Sequence, residues 1–147
     1  MHRPMMTKAG ICAFALLCLP AAAAAHAIFP GDQTVMTLGD RAFVRLQAVS
    51  DPRDASTFAV EIFNFEDWTP SRLAVATPER FVLPPRDPQS LDASERSITV
   101  LVDLNGKPMQ RLRICTKSVA PRDALRARAT TITTRVCANV TVKRFSA

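Results

Sequence analysis

The chain has 147 residues, a formal charge of +6 at pH 7, no tyrosine and only four glycines. So few glycines leave no Gly-rich phosphate loop. The Lys and Arg residues are scattered and not interleaved with aromatics, so no nucleic-acid footprint is read.

Residues 1–27 read as an export signal. Arg3 and Lys8 form a short positive region, and residues 9–19 form an almost wholly apolar run. Pro20 and the alanines at 21–25 lead into Ala25-His26-Ala27, a small-x-small cleavage site. The apolar run is shorter than the roughly 20 residues that span a bilayer. An N-terminal anchor or a buried core helix therefore fits less well. Ile11 and Leu17 precede Cys12 and Cys18, so neither cysteine follows the small residue that a lipid-attachment cut needs. The mature chain is expected to begin near Ile28, in the periplasm or secreted, without stable membrane insertion.

Loss of this leader takes away both histidines, His2 and His26, and two of the four cysteines. The net charge falls from +6 to +4 because Arg3 and Lys8 are lost. A chain with neither His nor Tyr offers no His general base, no Ser-His-Asp triad and no His-ligated zinc. The expectation is a protein that is not an enzyme and that uses no cofactor or metal. The roughly 120 residues left make one domain, burying about two-thirds of its unfolded surface.

Residues 28–40 are either an N-terminal extension or a first strand, with 33–38 as the strand candidate. The domain proper is 41–147. Within it, alternation marks strands with one buried face. Residues 41–49 place Ala42, Val44, Leu46 and Ala48 on one side; residues 57–65 place Phe58, Val60 and Ile62 there. The same pattern runs through 97–104 (Ile98, Val100, Val102), 111–116 (Leu112, Ile114) and 131–145 (Ile132, Val136, Ala138, Val140, Val142). Weaker candidates are 73–76 and 80–83. Turns fall at 51–54, 68–70, 84–88, 105–106 and 120–123, and residues 123–129 suit a helical turn. Asn105-Gly106 between two strand patterns predicts a hairpin. About seven short strands at this spacing predict an all-β, immunoglobulin-like sandwich of two sheets.

Cys115 and Cys137 lie on the polar faces of their strands. A disulfide is the natural reading in an oxidising compartment, with free thiols or intermolecular pairing as alternatives. Antiparallel neighbours would set the two cysteines directly across the ladder, where a disulfide can span them. The loop would contribute about 3 kcal/mol in the entropic account. Glu66 with Asp67, and Asp92 with Glu95, sit in turns without clustered partners, so no hydrolytic carboxylate pair is read. Trp68 either caps the sandwich edge or belongs to a binding surface. Asn139-Val140-Thr141 matches a glycosylation sequon but lies in mid-strand.

From about residue 45 to 145 the chain resembles the N-terminal immunoglobulin-like domain of the periplasmic, PapD-like chaperones of pilus assembly. Val60-Glu61-Ile62-Phe63-Asn64 is similar to an early strand ending in Asn. Residues 75–85 (VATPERFVLPP) are similar to the segment "v-t-P-x-x-f-x-L-x-P", and 111–121 with 134–145 to the last two strands. The resemblance implies binding of another exported protein, with a pilus subunit as the candidate, by strand addition. It implies Arg45 and Lys143 as anchors of that partner's C-terminal carboxylate. It implies Ile132, Val136, Ala138 and Val140 as apolar donor residues. A register starting at 33–38 would remove Arg45 from the anchor. The family's second domain and the Arg-Pro after its last strand have no counterpart here, and the cysteine pair is not typical of it. The alternative is a structural fimbrial-type subunit or envelope adhesin-like module, for which 28–38 is the only donor segment.

Overall fold

The computed structural model describes residues 26–50, 55–85, 87, 89, 92–120 and 132–145. The expected leader up to Ala25, the expected turn at 51–54 and the expected helical turn at 123–129 lie outside them. Among the described residues the elements are nine strands. They are β1 (His26–Phe29), β2 (Asp32–Thr37), β3 (Arg41–Ser50), β4 (Ser56–Asn64), β5 (Ala74–Thr77), β6 (Arg80–Leu83), β7 (Ser94–Asp103), β8 (Met109–Val119) and β9 (Arg135–Arg144).

Two sheets pack face to face. One has the order β1-β3-β7-β5 and the other β2-β9-β8-β4-β6. All pairings are antiparallel except that of β2 with β9. The core is the sum of the alternating faces. Val44, Leu46, Ile98, Val100 and Val102 come from the first sheet, and Phe58, Leu112, Ile114, Ala138, Val140 and Val142 from the second. Each fully buried aliphatic of this kind contributes about 1.5–3 kcal/mol of apolar transfer. Period-two patterning therefore reports the fold class directly: one face of each strand is apolar, and only a second sheet can cover it.

The described residues form nine strands, where about seven were expected. The unforeseen strand is β1, four residues without visible alternation that overlap the assigned leader. At Pro30 and Gly31 the chain passes from β1 in one sheet to β2 in the other. The peptide bond before Pro30 is cis, as is that before Pro78, where β5 and β6 make the same change of sheet.

Asn105-Gly106 does not make a hairpin. The local turn is present: Asn105 and Gly106 have φ of 48° and 75°, and the Lys107 amide donates to the Leu104 carbonyl at 2.9 Å. But β7 and β8 lie in different sheets. Leu104, fully buried, turns into the core, and Pro108 has no N–H with which to extend a ladder back onto β7. The dipeptide fixes a tight reversal, and packing decides which sheet the next strand joins.

Candidate functional site

β9 carries most of the residues to which the sequence points. It lies between β8 and β2, but not for its whole length. β8 pairs with Arg135 through Lys143, while β2 pairs only with Asn139 through Arg144. Residues 135–138 thus have a strand on one side and, among the described residues, none on the other. The Gly31 carbonyl accepts from the Asn139 amide at 2.8 Å and marks where the covered half begins. An unpaired strand edge is a template for an added strand.

The four apolar candidates divide between two environments. Ile132 is 64% exposed and Val136 is half-buried at the open half-edge. Ala138 and Val140 are buried between the sheets as members of the core. Arg45 and Lys143 are not brought together. Arg45 is exposed on β3 between buried Val44 and Leu46, so it faces outward from the four-stranded sheet. Lys143 is exposed on β9 beside buried Val142, so it faces outward from the five-stranded sheet. The two cations point to opposite sides of the sandwich, and neither forms an ion pair among the described residues. Lys143 is flanked in register by Met36 of β2 and Met109 of β8, which are 53% and 43% exposed.

Cys115 and Cys137 form a disulfide and are direct partners across the β8–β9 ladder, with Cα atoms 3.9 Å apart. The pair lies on the face opposite Ile114 and Ala138, so it ties the two strands on the outer side of the sheet.

That outer side is built from groups distant in sequence. The Arg111 guanidinium stacks 3.7 Å over the Phe65 ring and reaches Glu66 Oε1 at 2.9 Å. Arg113 lies 4.3 Å from Phe65 and 4.1 Å from Trp68. Glu61 pairs with Arg135 at 2.7 Å and with Lys117 at 3.7 Å. Interleaving of Arg and aromatics, invisible along the chain, thus appears across strands, since Arg111 and Arg113 on β8 face outward beside the end of β4. Trp68 has a left-handed φ of 57°, and its ring centroid is 5.8 Å from that of Phe63. Its ring lies beside Phe63 and the Arg113 guanidinium near the end of β4 and is 47% exposed. The carboxylates of Glu66 and Asp67 are held by Arg111 and by Thr69 respectively. Among the described residues no group of three His, Cys, Asp or Glu is placed to hold a metal.

No protein-family model matches the sequence, and no curated protein sequence matches it either. Solved structures do match. The Salmonella enterica SafA pilin–SafB chaperone complex superposes with a TM-score of 0.62 at 10% identity, over 83% of this chain and 55% of that one. The E. coli chaperone DraB gives 0.60 at 15% identity, over 82% and 55%. The fold is PapD-like. A human PapD-like domain, from CEP192, gives 0.54 at 7% identity, over 83% of this chain and 86% of that one. The chain therefore spans about half the length of the bacterial chaperones and most of an isolated PapD-like domain. At these identities the likeness establishes the sandwich and its strand order.

Proposed function

We propose that the protein is an exported, protein-binding module of envelope assembly, periplasmic in location, that takes an extended segment of another exported protein against the open half-edge of β9. The observation that carries this reading is the half-covered strand: β2 stops pairing at Asn139 and leaves 135–138 with one free side. Ile132 and Val136 supply apolar contact at that edge, while Ala138 and Val140 serve the core. Lys143, at the far end of the strand, supplies a cation for a carboxylate without help from Arg45. The PapD-like fold, which SafB and DraB share, supports a chaperone-like role with a pilus-type subunit as partner.

The alternative of a fimbrial-type subunit needs a free N-terminal donor segment. Residues 28–38 are instead engaged in both sheets as β1 and β2. That engagement favours the chaperone-like reading.

A photocrosslinking side chain placed at Ile132 in the native host should trap a second envelope protein. The same group at Phe43, exposed on the opposite sheet, should not. Equal capture from both positions, or capture from neither, would refute edge binding.

A further inference from the structure

The imidazole of His26 points into the open end of the sandwich. Its centroid lies 4.8 Å from that of Phe58 on β4. Nε2 is 3.1 Å from the Thr116 carbonyl oxygen on β8, and Nδ1 is 3.1 Å from Thr134 Oγ1 just before β9. A carbonyl only accepts, so Nε2 carries the proton and Nδ1 accepts from the Thr134 hydroxyl. Both ring nitrogens are thus satisfied in the neutral imidazole. One side chain on an edge strand of the four-stranded sheet reaches three segments of the other sheet. Its backbone is equally engaged, since His26 pairs in register with buried Ser50 of β3, and Ala27 with Val49.

Four small-x-small sites overlap here: Ala25-His26-Ala27, and three within the alanine tract at 21–23, 22–24 and 23–25. A leader-removing peptidase meets the chain unfolded, and its preference for small residues does not choose between them. The folded domain distinguishes them. A cut after Ala27 discards half of β1, the ring on Phe58 and both imidazole hydrogen bonds. A cut within the tract, after residue 23, 24 or 25, keeps all of them. We infer that the leader is removed within the alanine tract, at or before the Ala25–His26 bond, so that the working protein keeps His26. Water is added across that one peptide bond, leaving a carboxylate on the last leader alanine and a free α-amine on the residue after it. The inference rests on the export reading proposed above.

The test is intact mass and N-terminal sequencing of protein recovered from the periplasm of a bacterial host making the full chain. The expected N-terminus is Ala24, Ala25 or His26, with the Cys115–Cys137 bridge intact. An exported product starting at Ala27 or later overturns the inference and leaves the export reading standing. Retention in the cytoplasm with all 147 residues overturns both. One variant makes the choice explicit: Ala27→Leu, which removes only the site ending at residue 27, should be cut at the normal position. Accumulation of precursor in Ala27→Leu would defeat the assignment.

Discussion

Replacing His26 by Ala removes a ring contact with Phe58 and two hydrogen bonds at a half-buried position. The expected loss is about 1–3 kcal/mol, because two hydrogen bonds of about 0.5–1.5 kcal/mol each are lost together with the ring contact. Thermal unfolding of the oxidised variant, with its N-terminus verified by mass, reads this directly; an unchanged midpoint would show that the imidazole holds nothing together. Asp67 gives a second prediction. The Thr69 amide and hydroxyl donate to its Oδ1 at 3.0 and 2.8 Å, and these bonds hold its carboxyl below its ordinary value of 3.8. A depressed folded-state pKa means that folding favours the carboxylate. The contribution is complete above 3.8 and fades as pH falls through the lower, folded value. An NMR titration should find the Asp67 midpoint below 3.8, and it should rise only part of the way back in Thr69→Ala, which removes the hydroxyl donor and leaves the amide. Neither role was legible beforehand. His26 reads as part of a leader, and Asp67 as a solvated turn residue, until the fold supplies their partners.

At the scale of strands, the β8–β9 pair was the most legible element. Alternation fixed which face each cysteine occupies, and the observed antiparallel register then brings the pair across one ladder position. Reduction should cost about 3 kcal/mol, a fall of roughly 10 °C in the melting midpoint for a domain of this size. An unchanged midpoint in reducing buffer would remove the bridge from the stability account. The same strand separates core from edge. Val140→Ala opens a cavity between the sheets and should cost about 2 kcal/mol, whereas Ile132→Ala, at an exposed position, should leave stability within about 0.5 kcal/mol. Denaturant titration of the two variants tests the division; equal costs would contradict it. Sequence pattern could not make this distinction. Ile132, Val136, Ala138 and Val140 share one periodicity, and only the reach of the opposite sheet divides buried Ala138 and Val140 from exposed Ile132.

For the molecule as a whole, the placement of charge decides what a partner can meet. Arg45 and Lys143 are both exposed cations on strands, but they lie on opposite outer faces. Lys143→Ala should therefore weaken capture of a partner's C-terminal carboxylate, and Arg45→Ala should not. Both variants should melt with wild type, since exposed charges without close partners contribute little. Co-purification of the exported partner measures this, and equal weakening by the two variants would contradict a one-cation anchor.

Residue pattern alone was enough for the all-β class and the two-layer architecture, and it made a disulfide the natural reading of the two cysteines. Side chains alternating every second residue are a local property, and burying one face of each strand leaves few arrangements. Only the tertiary structure decided where β7 hands over to β8, which half of β9 stays open, and that His26 belongs to the fold. Each of these depends on which distant segment lies alongside, and periodicity within a strand carries no information about its neighbour.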